Sequence, residues 1–208
     1  MKCCTMKLYS YLALGDSYTI GEQVGVNESF PYQTVGLLKK KNIPFAAPEI
    51  VAATGFTTDE LNAAIDKAQL LPQYDFVSLL IGVNNQYRGR SADNFKEELE
   101  GLLKRAINFS GNKPQNVFVL SIPDWGITPF AADRDSKKIA TAIDVFNEVC
   151  SCISEKYNTH FIDITFSQRE DGGKEAFLAA DKLHPSVKEY AKWAALLNDE
   201  IIKEVLKQ

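Results

Sequence analysis

Five short apolar runs, separated by longer segments of helical periodicity, constrain this chain more than any other feature. The runs cover residues 8–14, 49–52, 76–81, 117–121 and 161–164, each short enough for a strand buried on both faces. Between and after them lie apolar-periodic stretches near 31–41, 58–69, 93–109, 135–157 and 187–207, each long enough for a helix. This strand-then-helix rhythm predicts an α/β fold in three layers, with a five-stranded parallel sheet between two layers of helices. Thr57 with Glu60, and Ser186 with Glu189, have the spacing of capping boxes at two helix starts. At 208 residues, with no internal repeat and no low-complexity linker, the expected organisation is a short leader over 1–7 and one domain over 8–208.

Charge and cysteine usage then remove several classes of function. Lysine and arginine number 23 against 27 acidic residues, a net charge of −4 without a basic block, so nucleic acid is not an expected partner. The four cysteines fall as Cys3 with Cys4 and Cys150 with Cys152, and neither pair has the C-x-x-C spacing of zinc or redox sites. Structural thiols are expected instead, one of Cys150 and Cys152 buried and the other half exposed. The leader lacks the apolar stretch of a secretory signal, and no segment has the length of a membrane span. As written, the chain is expected in the cytoplasm, or in the periplasm or outside the cell if a signal segment has been removed.

Open parallel sheets place ligands beyond the carboxyl ends of their strands, and three polar or small segments fall there. Gly15-Asp16-Ser17 follows the first strand, Thr54-Gly55 the second, and Gly82-Val83-Asn84-Asn85 the third. Asp181-Lys182-Leu183-His184-Pro185 precedes the last helix and puts a carboxylate three residues before one of the two histidines. Serine, imidazole and carboxylate are the three parts of nucleophilic acyl transfer. Each segment also has a plainer use. Gly-Asp-Ser suits a turn that caps a helix, Asn84 a strand exit, Gly55 a positive φ, and His184 a helix entry. The other histidine, His160, opens an apolar run without a nearby acid and is expected to be structural.

In this order and at these spacings the four segments resemble the SGNH (GDSL-type) hydrolase family over nearly the whole chain. Gly15-Asp16-Ser17-Tyr18-Thr19 is similar to its first block, Gly55 to the lone glycine of the second, Gly82-Val83-Asn84-Asn85 to G-x-N-D, and the segment 181–185 to D-x-x-H-P. The resemblance implies a flavodoxin-like sheet, Ser17 as nucleophile, His184 as general base and Asp181 as its partner. It further implies an oxyanion hole built from the Ser17 and Gly55 N–H groups and the Asn84 side chain. The family usually carries aspartate where this chain has Asn85, a departure that bears on substrate preference more than on activity. The expected activity is hydrolysis of a small or medium acyl ester, including an acetylated carbohydrate, without metal or organic cofactor. A lysophospholipase or acyl-thioesterase is the runner-up, and a non-catalytic ligand-binding module on the same fold is the alternative of a different class.

Specificity in such an architecture comes from loops. Gln86-Tyr87-Arg88-Gly89-Arg90 follows the oxyanion asparagine and offers an aromatic face with two cations, suited either to a polar or anionic leaving group or to a solvated helix entry. Ile122-Pro123-Asp124-Trp125-Gly126-Ile127-Thr128-Pro129-Phe130 is too apolar and rigid for an ordinary exposed turn. Trp125 and Phe130 are expected either to wall an acyl or sugar pocket or to pack in the core. Asp16, Asn85, Tyr87, Arg88, Trp125 and Phe130 are therefore the pocket candidates. Glu22 and Gln23 either line the site or cap the helix after the nucleophile.

Overall fold

The computed structural model of the protein describes residues 7–207; Cys3, Cys4 and most of the expected leader lie outside them. Five strands, β1 (Tyr11–Asp16), β2 (Glu49–Ala53), β3 (Phe76–Leu80), β4 (Val117–Leu120) and β5 (His160–Ile162), form one sheet. Their order is β2-β1-β3-β4-β5 and every pairing is parallel, the doubly wound order expected of a flavodoxin-like sheet. Among the described residues eight α-helices accompany them: α1 (Ser17–Ile20), α2 (Phe30–Lys40), α3 (Thr58–Lys67), α4 (Val83–Tyr87), α5 (Ala92–Phe109), α6 (Ser136–Lys156), α7 (Ile164–Asp171) and α8 (Val187–Val205). One layer pairs α2 with α8; in the other, α3 packs on α5 and α5 on α6. β1, β3 and β4 are buried at every residue, as strands covered on both faces must be.

The chain order reverses between β1 and β3, because β2 lies on one side of β1 and all later strands on the other. Crossover connections leave a crevice at such a point, at the carboxyl ends of the two diverging strands. Ser17 follows β1 there and Gly82 follows β3. Gly15 is the residue that lets these elements close: a Cβ on it would lie 2.0 Å from the Thr19 hydroxyl and 2.5 Å from the Leu80 carbonyl. Only glycine allows β1 to approach β3 and α1 so tightly.

Several element boundaries differ from the sequence expectation for identifiable reasons. The first strand begins at Tyr11, not at residue 8, and continues through Gly15 and Asp16, which pair with Ala52 and Ala53. Leu8 is exposed, Tyr9 makes only a lone bridge to Phe45, and the Ser10 N–H is taken by the Asp75 carboxylate. The fifth run stops as a strand at Ile162, because the Asp163 side chain accepts from the Phe166 N–H and opens α7 at Ile164. The box expected at Thr57 forms, with Glu60 accepting from the Thr57 N–H at 2.9 Å. The one expected at Ser186 does not: Glu189 is buried and accepts from the Trp193 indole at 3.0 Å, while the Ser186 hydroxyl donates to the Ala176 carbonyl. Cys150 is buried, its thiol pushed up to about 12 by burial, and Cys152 is exposed. His160 stacks on Phe118 with centroids 5.0 Å apart and lies 3.2 Å from Glu204, a structural setting on the edge strand. Among the described residues no helix is long and apolar enough to cross a membrane.

Candidate active site

Ser17 opens α1, where the chain turns out of β1, and Asp16 caps that turn by accepting from the Tyr18 N–H at 3.0 Å. The Ser17 hydroxyl is 3.0 Å from His184 Nε2. On the far side of the ring, Nδ1 is 2.6 Å from Asp181 Oδ2. With the proton on Nδ1, the ring donates to Asp181 and accepts from Ser17, the polarity that a base for serine requires. Asp181 and His184 belong to a closed turn. Asp181 Oδ1 accepts from the N–H groups of Leu183 and His184, both at 3.0 Å, and the Ala179 N–H donates to the His184 carbonyl at 2.8 Å. Burial alone would raise the Asp181 carboxyl, but the hydrogen bonds from the His184 ring and from these two N–H groups outweigh it and hold the group below the ordinary carboxylate range. Tyr18 covers the imidazole, centroids 5.1 Å apart, and rests in turn on Trp193 of α8.

The serine and histidine open on a cavity of about 190 Å³, lined also by Thr54, Gly55, Val83, Asn84, Leu183 and an aromatic wall. Gly55 holds the third position of a turn over residues 53–56, closed by the Phe56 N–H on the Ala53 carbonyl at 3.2 Å. Its φ is +81, which makes the turn type II and explains the glycine, since a Cβ there would meet nothing nearer than the Arg88 guanidinium at 3.6 Å. The side-chain amide of Asn84 donates to the Phe56 carbonyl at 3.0 Å, which leaves its second N–H free.

Tyr87, Trp125 and Phe130 form the wall, with Trp125 edge-on to both partners at 5.2 and 6.2 Å. Trp125 is 5% exposed and donates its indole N–H to Gln86 at 2.8 Å, whereas Tyr87 and Phe130 are each 46% exposed at the rim. Behind the wall, buried Asp124 accepts from the Gly126 N–H and from Arg169 Nε at 2.9 and 2.8 Å, which stiffens this segment. The Phe130 N–H donates to the Lys182 carbonyl at 3.3 Å, tying the wall to the Asp181–His184 turn.

Three pocket candidates lie elsewhere. Asp16 is fully buried, its Oδ2 without a partner and its carboxyl pushed up to about 7 by burial against the opposing Tyr18 N–H bond. Asn85 is also fully buried; it accepts from the Thr58 N–H at 3.1 Å and donates to the Thr58 hydroxyl at 2.6 Å, joining α4 to the start of α3. Arg88 turns away from the cavity onto the Gly55 carbonyl and Glu60, and Arg90 onto Asp59 at 2.6 Å. Glu22 accepts from the Thr54 hydroxyl at the cavity edge, while Gln23 is exposed. Val83 and Leu183, which also line the cavity, carry no polar signal and were not marked by the sequence.

A serine, an imidazole and a carboxylate in one hydrogen-bonded line, at the switch point of a parallel sheet, make a serine-hydrolase arrangement. The chain belongs to the GDSL-like lipase/acylhydrolase family, whose model matches residues 13–192, and it is a hydrolase of that family. No curated protein sequence matches it. Similar solved structures include TesA, at 15% identity and a TM-score of 0.73 over 92% of this chain and 97% of that one. A lipase/acylhydrolase from Enterococcus faecalis aligns at 23% identity and 0.72, covering 93% and 95%. Axe2, an acetylxylan esterase from Geobacillus stearothermophilus, aligns at 21% and 0.70, covering 93% and 94%. At these identities the likeness is one of fold.

Proposed function

We propose that the protein is a serine ester hydrolase that removes a short acyl group from an uncharged alcohol, an acetylated carbohydrate being the favoured class. The observation that carries this reading is the unbroken Ser17–His184–Asp181 line opening on a small cavity beside Gly55 and Asn84. His184 takes the Ser17 proton as the hydroxyl oxygen attacks the acyl carbon; Asp181 keeps the ring in the right tautomer and stabilises the imidazolium. The Ser17 and Gly55 N–H groups and the free Asn84 amide N–H meet the oxyanion of the tetrahedral intermediate. His184 then hands its proton to the leaving alcohol. Water, activated by the same ring, attacks the acyl-enzyme and returns Ser17.

Cavity size and charge support the choice of substrate. At about 190 Å³ the cavity is smaller than the roughly 300–1,000 Å³ of pockets that take drug-sized ligands, which favours a short acyl chain over a lipid tail. Both arginines after Asn84 are neutralised by α3 carboxylates, which favours an uncharged leaving group over a phosphate-bearing one. The exposed faces of Tyr87 and Phe130 at the rim suit a sugar ring, and the fold is shared with an acetylxylan esterase.

The test is hydrolysis of p-nitrophenyl esters from acetate to decanoate, of acetylated sugars and of acyl-CoA, by wild type and Ser17→Ala. Expected is turnover confined to short chains and acetylated sugars, lost in Ser17→Ala with an unchanged circular dichroism spectrum. A rate that climbs with chain length or favours acyl-CoA moves the assignment to a lipid or thioester substrate. A folded wild type that neither turns over any ester nor is labelled at Ser17 by a phosphonate is a binding module.

A further inference from the structure

The Gly55 turn is built so that its central peptide can invert. A type II turn with glycine in third position differs from type I by a flip of the peptide between its second and third residues, and glycine populates either sign of φ with little cost. Here that peptide supplies the Gly55 N–H, which donates to no protein group among the described residues and borders the cavity. A flip would point it away from Ser17 and bring the Thr54 carbonyl round in its place, which would repel an oxyanion.

The flip is opposed from one face of α4. Asn84 lies in α4 and Arg88 ends it, its N–H on the Asn84 carbonyl at 3.0 Å, so the two stand one turn apart on the same side. Asn84 donates to the Phe56 carbonyl at 3.0 Å, and Arg88 Nη2 donates to the Gly55 carbonyl at 2.6 Å. Two consecutive carbonyls, immediately after the peptide that would flip, are thereby held by one rigid element. Arg88 is itself anchored, with Nη1 3.2 Å from Glu60 Oε1, and Glu60 Oε2 holds the Thr57 N–H at the next helix start. Thr57, Glu60, Arg88 and Gly55 form a closed ring around the turn.

We propose that Arg88 is a positioning residue that clamps the Gly55 carbonyl and so keeps the Gly55 N–H aimed at the reacting oxygen, with no contact to substrate. This rests on the serine-hydrolase reading above, in which Gly55 is an oxyanion donor. Its distinguishing property is that it acts only as the oxyanion forms. Losing an interaction made only in the transition state lowers kcat and kcat/KM together and leaves KM alone.

The experiment compares wild type, Arg88→Ala, Arg88→Gln and Arg88→Lys on p-nitrophenyl acetate and on the anionic p-nitrophenyl hemisuccinate, alongside the exchange and chemical shift of the Gly55 amide in glycine-labelled protein. Arg88→Ala should fold normally, since the side chain is 43% exposed. Expected is a kcat lower by between about tenfold and 10²-fold, as for a small misplacement of a catalytic donor. The loss should be equal on both esters, with KM and the acid limb of the pH profile unmoved, partly restored in Arg88→Lys but not in Arg88→Gln. The Gly55 resonance should shift or broaden, and its exchange quicken. An unchanged kcat overturns the clamp, as does a loss confined to KM on the anionic ester, which would make Arg88 a substrate contact. Should the wild type itself prove inactive, the esterase reading fails, and the amide signal alone decides the clamp: an undisturbed Gly55 amide in Arg88→Ala overturns it.

Discussion

Asp16 is a carboxyl group placed where its charged form has almost nothing to hold it. It is fully buried and accepts a single hydrogen bond, and burial moves its pKa from 3.8 to about 7. A carboxyl raised in this way binds its proton more tightly in the folded chain than in the unfolded one. Below pH 3.8 both states are protonated and no penalty exists. Between 3.8 and about 7 the unfolded state ionises while the folded state does not, so this group's contribution to stability falls with pH and levels off above about 7. Asparagine keeps the acceptor for the Tyr18 N–H and never ionises. Asp16→Asn should therefore raise Tm near pH 8 and match wild type near pH 4, as read by thermal melts across that range. A difference that does not vary with pH would mean that Asp16 does not titrate in this interval. Sequence marked Asp16 as a pocket candidate, yet Asp16 ends β1 fully buried while Ser17 opens α1 on the cavity, and adjacency in the chain does not tell which of two neighbours faces a cleft.

At the scale of elements, the wall formed by the turns after β4 and by α4 sets what the cavity accepts. Phe130 is half exposed and meets Trp125 only edge-on, so its removal should enlarge the cavity at little cost to the fold. Phe130→Ala is expected to raise the ratio of kcat/KM for hexanoate over acetate by about tenfold, the scale on which hydrophobic pockets discriminate, with Tm nearly unchanged. An unaltered profile across the p-nitrophenyl series would remove Phe130 from the acyl site. Of the strands that carry this site, β1 and β3 were legible because strands buried on both faces read as plain apolar runs, half-buried β2 because its run over residues 50–53 is apolar as well, and helices of ten residues or more show their periodicity. Three elements were not: α1, α4 and α7 have four, five and eight residues, too few turns for a hydrophobic face to repeat. Missing α4 had a consequence for function. Read as a loop, the segment 86–90 left a leaving-group contact and a solvated helix entry equally open; with α4 in place, Tyr87 at its end reaches the cavity, while Arg88 and Arg90 beyond it are claimed by α3 and the Gly55 turn. Glu189 misled for a related reason, since a glutamate three residues after a serine looks like a cap until a tryptophan four residues on needs an acceptor in the core.

For the molecule as a whole, the site depends on joining its two ends. Ser17 follows the first strand and His184 precedes the last helix, so nothing local holds them 3.0 Å apart. What does so is the packing of α8 against α2 and against Tyr18 of α1, and its centre is Trp193. That ring is fully buried, lies 6.1 Å from Tyr18, 6.2 Å from Phe30 and 5.3 Å from Tyr190, and satisfies its N–H on Glu189. Tyr18 in turn packs on the imidazole. Trp193→Ala leaves a cavity and takes the indole N–H from buried Glu189, whose other oxygen stays on Lys192 at 3.0 Å, and should cost about 3–5 kcal/mol from the lost packing alone. Because Tyr18 loses its support, the loss should also reach the reaction: measured well below the melting point, kcat should fall while the variant remains folded. Trp193→Phe keeps a ring against Tyr18 but gives up the indole N–H, so it should recover more activity than stability. Thermal melts and p-nitrophenyl acetate turnover of the two variants separate these effects. If Trp193→Ala lowers Tm and leaves kcat intact, Tyr18 holds His184 without help from α8, and the Asp181–His184 turn is held by its other ties, such as the Phe130 N–H on the Lys182 carbonyl.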